Sequence, residues 1–467
     1  MKKDTFLKTA YQNIPDTPWE RLSDRTKIIL EKQLPVFDSH CHVFDSDCID
    51  PWYFLIRKAA NAVLSNKTIS EVLPKESQII FNNYLISKPV DVLYTDLEDE
   101  SLMSKTSSEE DWERIEQELI DLQMRVNEPS LLKSNSKAGQ LSFSIGGIID
   151  VLRILRKKQM ARVLDLYINK YLIVNLNKFP IRDAAFFSNI LMMDFRMGWR
   201  SARIKKSVSD QIREMKILAK SENVLPFLFV DPRREDEGEE HLFELFLSAF
   251  SKDSDSPPFF GIKVYPALGY APSDWRLFPI WEICQAKNIP VLTHCGGNVI
   301  STYDETVIVF ECSGDTEESC NRITVPGAKR KERASWLNDP IRWAPVLKRF
   351  PKLRLNFGHF GGTDEWLQQP IGSRANTIQS FMQNKDYPNV YADFSFNLVE
   401  DKAVDSFATQ MLNDKTLQER SLFGTDFWVV LPGGNLNDGQ RNLLRKIGDA
   451  DLIKQIFSTN PKKWLGL

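Results

Sequence analysis

Short apolar runs recur along this chain, and the stretches between them carry apolar residues near helical spacing. There are eight such runs, at residues 36–40, 189–194, 225–231, 259–265, 290–294, 353–359, 390–395 and 421–426. This alternation is typical of βαβ units built around a parallel sheet. Eight strands with intervening helices predict a (β/α)8 TIM barrel, in which functional side chains lie at the carboxyl ends of the strands. A doubly wound open sheet is the competing architecture, but no glycine-rich phosphate-binding loop follows the first run.

The chain is longer than a minimal barrel, and the extra length falls into defined segments. Residues 1–43 are predicted to form a helical leader and barrel strand 1. Residues 44–180 are too many for a structureless connection, so they predict a helical insertion after strand 1 that covers the barrel mouth. Residues 181–467 supply the remainder of the barrel. Within them, residues 296–340 are polar and can carry substrate-recognition groups or form a solvated loop. The basic run at 329–331 favours the solvated loop.

The charge of the chain is nearly balanced. Sixty Lys and Arg residues stand against 63 Asp and Glu residues, which gives a formal net charge of −3. This balance offers no broad attraction for nucleic acid or an anionic membrane, so we expect a small-molecule substrate as the partner. No apolar run approaches the roughly 18 residues of a membrane-spanning helix, and no signal-peptide core follows the N-terminus. We therefore expect a cytoplasmic protein, and the sequence leaves homo-oligomer formation open.

Six cysteines are spread along the chain without a CxxC pair. They lack the dense spacing of small secreted domains, so reduced thiols are expected. Cys312 and Cys320 lie in the polar stretch and can pair or bind a soft metal, although free thiols are the favoured interpretation. Cys41 lies between two histidines and is expected to face away from them, in the core.

Four of the five histidines and one aspartate lie where predicted strands end. They are His40, His42, His294, His359 and Asp426. Strand side chains alternate between faces, so His40 and His42 point the same way and can present two imidazoles to one ion. Any single histidine here can be an ordinary core or surface residue, but their joint placement predicts a divalent metal site. The fifth histidine, His241, lies in a helical stretch and is interpreted as a surface residue.

Other polar residues are weaker candidates. Lys263 lies within strand 4, where an ammonium group is costly unless it is paired or modified. It can bind a substrate carboxylate, pair with an acid, become a carboxylated metal ligand, or extend its ammonium group to solvent at the strand end. Arg233 and Arg234 follow strand 3 and are predicted to bind an anionic substrate, with a solvated surface pair as the alternative. Tyr265 and Trp343 can line the pocket or belong to the core.

The order of these residues resembles the metal site of the amidohydrolase superfamily. That order is His40-x-His42 on strand 1, then Lys263, His294, His359 and Asp426 on strands 4, 5, 6 and 8. Residues 338–343 and 355–362, the turn at 231–234 and the ending at 460–467 resemble its branch of amidohydrolase-2-type metal-dependent hydrolases. The resemblance covers the barrel and leaves out residues 44–180.

The resemblance implies roles for these residues. His40, His42, His294 and Asp426 would bind a metal, commonly Zn²⁺, with other divalent ions as alternatives. One ion is favoured, and a second would need carboxylated Lys263 as a ligand. Asp426 would also act as the catalytic general acid–base. Catalytic His359 would hold the developing oxyanion or, in the two-metal form, bind the second ion.

The reaction implied by this site is hydrolysis. A metal-activated hydroxide would cleave an amide, lactone or ester bond of a small molecule. Metal-dependent non-oxidative decarboxylation or isomerisation is the alternative, because fold and ligand set do not fix the reaction. A non-catalytic, metal-holding interaction protein is a third hypothesis, which requires a closed coordination shell.

Overall fold

The computed structural model describes residues 1–49 and 159–467, apart from 173–183, 200–203, 239, 253–255, 298–299, 315 and 369–371. Between them it describes only scattered positions, of which those from 116 to 154 are helical. The chain divides into two compact units. One consists of Met1–Ile49, Gln159–Trp428 and Leu436–Leu467, and the other of Asp50–Lys158 and Val429–Asn435. Most of the insertion predicted at 44–180 thus lies outside the described residues, and its position over the barrel mouth stays a prediction.

Eight parallel strands form the sheet of the first unit, in the order β1-β2-β3-β4-β5-β8-β9-β10. They are β1 Leu34–Cys41, β2 Ala184–Leu191, β3 Val224–Phe229, β4 Gly261–Val264, β5 Val291–Thr293, β8 Leu355–Phe357, β9 Val390–Asp393 and β10 Ser421–Leu422. Backbone hydrogen bonds join the end of β1 to the segment after β10: Ser39 N–H donates to Phe423 O at 2.9 Å, and His42 N–H to Phe427 O at 2.9 Å. The (β/α)8 TIM barrel is therefore confirmed, and each strand overlaps one of the eight apolar runs, although β2 begins five residues before its predicted run.

Helices surround this sheet. Within residues 1–49 and the described part of 159–467, the α-helices are Lys3–Asn13, Asp24–Lys32, Met160–Leu166, Val208–Ser221, Leu242–Phe250, Phe278–Ala286, Arg330–Leu337, Ala344–Arg349, Thr363–Gln368, Arg374–Gln383, Asp401–Asn413, Lys415–Arg420, Leu436–Ile447, Ala450–Lys454 and Asn460–Leu465, with π-helical turns at Tyr167–Leu172 and Gln455–Thr459. No helix in the described part of the chain has both the length and the apolar character that crossing a membrane requires.

Apolar side chains from most of the strands pack together inside the sheet. They include Phe37, Phe187, Leu191, Phe227, Leu292, Tyr391 and Leu422, together with Trp464 from the last helix. The Phe37 and Phe187 rings stack at 5.5 Å between centroids, and the Phe227 and Trp464 rings at 5.7 Å. We call this set the apolar layer. It buries the strands on the inner side, as a parallel sheet covered by helices requires.

The segment at 296–340 differs from the solvated loop that its polarity predicts. It contains an antiparallel hairpin of β6 Ile308–Cys312 and β7 Cys320–Thr324, followed by the helix Arg330–Leu337. The register places Cys312 directly opposite Cys320, and the two form a disulfide bond. The expectation of free thiols was therefore wrong for this pair, because cross-strand pairing brings together two cysteines that no sequence pattern links. The other four cysteines are free and buried.

Candidate metal centre

His40, His42 and Asp426 meet at the carboxyl end of the barrel. The Oδ1 atom of Asp426 lies 3.4 Å from Nε2 of His40 and 3.4 Å from Nε2 of His42. The three side chains are 0%, 5% and 3% exposed. One ligand atom from each lies within 4.8 Å of the other two. The structure thus brings together three of the residues that the sequence predicts as metal ligands.

A β-bulge in β1 aims the two histidines inward. Phe37 pairs with Phe187 in the apolar layer, but the register shifts between Asp38 and Cys41, so that β1 has one extra residue. Before the bulge Asp38 accepts a hydrogen bond from the Tyr167 hydroxyl at 2.6 Å. After it, His40 and His42 face the barrel interior, although regular alternation places His40 on the face of Asp38.

Two glycines make room for the His40 ring. A β-carbon on Gly424 would lie 2.8 Å from Cβ of His40, and one on Gly358 would lie 2.9 Å from Cε1 of the ring. No side chain tolerates such contacts without a shift of its neighbour. The glycines that precede His359 and follow Phe423 therefore belong to the packing of this site.

His294 and His359 lie beside one another at the ends of β5 and β8. Nδ1 of His294 is 3.1 Å from Nε2 of His359. The His294 ring also stacks on Tyr265, with 4.1 Å between ring centroids. Its Nε2 atom is buried and has no hydrogen-bond partner among the described residues. An unpartnered buried nitrogen costs free energy, which a bound ion would recover.

Asp393, at the end of β9, organises these rings from behind. Its Oδ2 accepts hydrogen bonds from Nδ1 of His40 at 3.1 Å and from Nδ2 of Asn356 at 2.8 Å. Its Oδ1 accepts from the backbone N–H groups of His359 and Ser395, at 3.1 and 3.2 Å, and from the Ser395 hydroxyl. Sequence reasoning missed Asp393, Ser395 and Asn356. The signal for Asp393 was available, because it lies near the end of the apolar run 390–395 as His359 ends its own run.

The hydrogen bonds assign the ring protons. Nδ1 of His40 donates to Asp393, and Nδ1 of His42 donates to Leu191 O at 3.3 Å. Each neutral ring then carries its lone pair on Nε2, the atom that faces Asp426. A carboxylate or carbonyl that holds the second nitrogen of a histidine is the usual support of a metal ligand.

Burial keeps these imidazoles neutral. It lowers the pKa of His40, His42 and His294 below the ordinary imidazole value, and that of His359 to about 3. Burial alone would raise the pKa of Asp393, but the His40 and His359 rings and the Ser395 hydroxyl hold it well below its usual range. The site therefore offers neutral nitrogen donors next to ionised Asp393, and metal ligation by histidine requires the neutral ring.

The donor spacing fits a small divalent ion. Two ligands of a tetrahedral ion lie about 3.3–3.4 Å apart when each bond is about 2.0–2.1 Å long, as with Zn²⁺. The two 3.4 Å separations between imidazole Nε2 atoms and Asp426 match this spacing. A second group, formed by His40, His359 and Asp393, also lies within 4.8 Å. Its Asp393 oxygens already accept hydrogen bonds from the surrounding groups, so we interpret Asp393 as support rather than as a ligand.

Lys263 lies against this centre. Its Nζ is 3.1 Å from Nε2 of His40, and the residue is 0% exposed, so it does not reach solvent. No carboxylate lies within 4.0 Å of Nζ among residues 1–49 and the described part of 159–467. Burial lowers the pKa of Lys263 to about 8, while Asp426 and Asp393 oppose the shift. A buried amine that titrates near 8 is partly neutral at mildly alkaline pH, the form that carboxylation by CO₂ requires.

Arg233 and Arg234 are held in ion pairs within the fold. Arg233 donates from Nε and Nη2 to Asp231, at 2.9 and 2.6 Å, and from Nη2 to Leu268 O at 2.9 Å. Arg234 Nε donates to Asp194 at 2.6 Å. Their predicted contact with an anionic substrate stays a prediction, and most of the Arg233 donors are already used.

The remaining candidates have structural positions. Nε1 of Trp343 donates to the Thr293 hydroxyl at 3.2 Å in the core behind β5. His241 is the N-cap of the helix Leu242–Phe250 and accepts a hydrogen bond from the Phe243 N–H at 3.2 Å. This position agrees with the interpretation of His241 as a residue outside the site.

Comparison with known proteins adds a family match. A family model described as "Amidohydrolase" matches residues 217–467. Solved structures with a similar chain include a probable 2-pyrone-4,6-dicarboxylic acid hydrolase from Acinetobacter baumannii, with 11% identity, 63% of this chain and 88% of that chain covered, and a TM-score of 0.37. Another is 5-carboxyvanillate decarboxylase from Novosphingobium aromaticivorans, with 13% identity, 69% and 88% covered, and a TM-score of 0.37. No curated protein matches the chain.

Proposed function

The chain belongs to the amidohydrolase family, a family of metal-dependent enzymes, and we propose that it is a hydrolase of small molecules. The bond that we propose for cleavage is an amide, lactone or ester bond. One observation carries the proposal: buried imidazoles present Nε2 lone pairs beside the Asp426 carboxylate at the carboxyl end of the barrel. Active sites of such barrels are built at this end.

We assign His40, His42, His294 and Asp426 to one divalent ion, with Zn²⁺ favoured. Because these are four protein ligands, the proposal requires the ion to keep a fifth position for water. Such an ion, when bound, lowers the pKa of water to about 7 and supplies a nucleophile at neutral pH. Three imidazoles and one carboxylate are nitrogen and oxygen donors that Zn²⁺ accepts, and they also suit other divalent ions. A second ion would need Lys263 as a carboxylated ligand.

Asp426 has a second role in this proposal. Its Oδ1 atom is the oxygen that faces both histidines, which leaves Oδ2 for proton transfer. We propose that Asp426 accepts a proton from the attacking water and returns it to the leaving group. The backbone N–H of Asp426 donates to His40 O at 2.7 Å, which fixes the carboxylate next to the ligand that it faces.

His359 and Lys263 are the groups proposed to stabilise negative charge on the substrate. Both nitrogens of His359 have a neighbour within hydrogen-bonding distance. The Nδ1 atom of His359 faces the Ser395 hydroxyl, and its Nε2 atom faces the His294 ring. A contact between His359 and a substrate oxygen therefore requires Nε2 to leave His294 and to carry a proton, because an oxyanion accepts hydrogen bonds only. The ammonium group of Lys263, next to His40, is available without such a change when it is protonated.

The test combines metal analysis with isotope labelling. We expect the purified protein to hold close to one equivalent of Zn²⁺ or a similar ion, as measured by elemental analysis. The loaded enzyme is then offered amides, lactones, esters and carboxylated aromatic compounds in H₂¹⁸O. Hydrolysis places one ¹⁸O atom in the product of a turned-over substrate. Asp426→Asn should lose this activity, while Asp386→Asn, a change at an exposed aspartate, should retain it.

Other outcomes would overturn this proposal. Release of CO₂ from a carboxylated compound without ¹⁸O in the organic product identifies a decarboxylase, and isomerised product without ¹⁸O identifies an isomerase. A stoichiometry near two ions would give Lys263 the role of a carboxylated ligand. A bound ion with every coordination position filled by protein, and no turnover of any compound, would indicate a metal-holding protein.

A further inference from the structure

We infer that Ser395 is a positioning residue of the metal centre: held by Asp393, its hydroxyl fixes the proton of His359 on Nδ1 and thereby leaves Nε2 of His294 free to bind the ion. The inference rests on the proposed function, because it concerns the same site. It assigns a role to a serine that lies two residues beyond Asp393 and that nothing in the sequence pattern marks.

The first step is the orientation of the Ser395 hydroxyl. Its Oγ contacts the Oδ1 of Asp393 and lies 2.9 Å from Nδ1 of His359 and 3.2 Å from Nδ1 of His40. A hydroxyl has one hydrogen and two lone pairs, and a carboxylate only accepts. The hydrogen therefore belongs to the contact with Asp393, and both lone pairs face ring nitrogens. Ser395 is fully buried, so water does not compete for these positions.

The second step is the proton on His359. The ring is buried, and its Nδ1 must carry a hydrogen in order to donate to Ser395, whose own hydrogen faces Asp393. Its Nε2 is then an acceptor, and the group that faces it at 3.1 Å is Nδ1 of His294. His294 must consequently donate from Nδ1.

The third step is the state of His294. A neutral ring that donates from Nδ1 has its lone pair on Nε2. That Nε2 atom is buried and has no hydrogen-bond partner among the described residues, as expected for a nitrogen that is kept for an ion. The hydrogen bonds from Asp393 through Ser395 and His359 to His294 thus determine which nitrogen of His294 is protonated. A carboxylate on β9 in this way controls a ligand atom at the end of β5.

Removal of the Ser395 hydroxyl interrupts this series of hydrogen bonds between Asp393 and His359. In Ser395→Ala, Nδ1 of His359 loses its acceptor, so the proton can move to Nε2 and face Nδ1 of His294. His294 would then place its own proton on Nε2, and the lone pair for the ion would be lost. Loss of a supporting partner of a metal ligand typically costs about 10–100-fold in metal affinity.

The test compares two serine variants. Ser421 is a matched control: it is fully buried on β10, and its hydroxyl has no hydrogen-bond partner among the described residues. Zn²⁺ affinity is measured by competition with a chromophoric chelator, and the ring tautomers of the metal-free protein by ¹H–¹⁵N NMR with ¹⁵N-labelled histidine. We expect Ser395→Ala to bind Zn²⁺ at least about 10-fold more weakly and to lose the Nδ1–H form of His359. Ser421→Ala should match the wild type in both measurements, and thermal unfolding shows whether each variant is folded.

The outcomes separate this inference from the proposed function. Unchanged affinity in Ser395→Ala, or an Nε2–H form of His359 in the wild type, overturns the role of Ser395 while hydrolase activity can stand. Tight Zn²⁺ binding with the assigned tautomers, but no hydrolysis of any compound, overturns the proposed function alone. A wild-type protein that binds no divalent ion overturns both. Should Ser395→Ala not fold, the wild-type tautomer measurement still decides the second and third steps.

Discussion

The barrel interior has two layers that use the same strands in opposite ways. The apolar layer holds Phe37, Phe227, Tyr391 and Leu422, whereas the layer above it holds His40, Lys263, His294 and Asp393. Tyr391 and Asp393 are only two residues apart on β9. In the apolar layer any well-packed side chain of suitable volume can serve, because burial of apolar area supplies its stability. In the polar layer each group depends on one particular neighbour. The comparison predicts that substitutions in the apolar layer lower the stability of the protein, whereas substitutions in the polar layer lower metal binding and activity.

The largest expected effect is in the polar layer. His40→Ala removes a proposed ligand, so we expect the protein to lose its metal and its activity, with Zn²⁺ content measured by elemental analysis. Asp426→Asn should lower kcat by about 10²–10⁴-fold, the usual contribution of a general acid–base group. The apolar layer is untouched in both variants, so both should still fold. Full metal content and turnover in His40→Ala would contradict the site assignment.

A large-to-small substitution in the apolar layer should lower stability and leave activity unchanged, the opposite of the effect expected for His40→Ala. Phe227→Ala leaves a cavity beside Trp464, and we expect a loss of about 3–5 kcal/mol in the free energy of unfolding. The activity of each folded molecule should stay near that of the wild type. Urea denaturation and steady-state kinetics measure the two quantities, with Leu412→Ala, at a 51% exposed leucine, as the control. A loss of metal affinity comparable to that of His40→Ala would show that the layers are not independent.

Gly424 lies where the two layers meet. An added β-carbon would approach Cβ of His40 to 2.8 Å and Cβ of Ser395 to 3.1 Å. Gly424→Ala should therefore cost about 1–3 kcal/mol through overpacking and should also weaken metal binding, because His40 has to move. Gly238→Ala is the control, since an added β-carbon there meets nothing within 4 Å. Equal stability and equal metal affinity in the two variants would show that close packing of Gly424 against His40 is not required.

The smallest effect is the pH dependence that Lys263 contributes. Burial lowers its pKa to about 8, whereas an unfolded lysine titrates near 10.4. Between these values the unfolded chain binds more protons, so the contribution of Lys263 to stability rises with pH through this window. For the metal-free wild type, the free energy of unfolding should gain up to about 1.4 kcal/mol per pH unit relative to Lys263→Met. Urea unfolding at pH 7.5–10 measures the difference, and parallel curves for the two proteins would show a lysine that stays protonated in the folded barrel.

The strands of this fold were predictable from the sequence for a physical reason. A parallel strand that is covered on both sides needs a continuous apolar run, and the eight runs stand out from their polar surroundings. The hairpin was not predictable in the same way. All five residues of β7 are at least partly exposed, on a strand with little alternation, so their polarity looks like that of a loop. Only the register between β6 and β7 reveals the pair of Cys312 and Cys320.

The site was predictable from the sequence only in part, as the fold was. Histidines at strand ends are rare enough in this chain to indicate that they converge, and His40, His42 and Asp426 do so. Among the supporting residues, Asp393 has a comparable signal near the end of its run, but Asn356 and Ser395 have none. Asn356 and Ser395 are common polar types, and their importance follows from which strands are neighbours and from how one carboxylate receives several donors. Such relations depend on tertiary structure, which no spacing along the chain encodes.

The extra residue in β1 has a consequence for anyone who would transplant this centre. The His-x-His pair faces inward only because the strand gains one position between Asp38 and Cys41. Copying residues 37–42 in this register onto a regular strand, with Phe37 still facing inward, would turn the two rings toward the surrounding helices. An engineered copy of this centre therefore needs the bulged segment of β1 together with Gly358 and Gly424, and not only the two histidines.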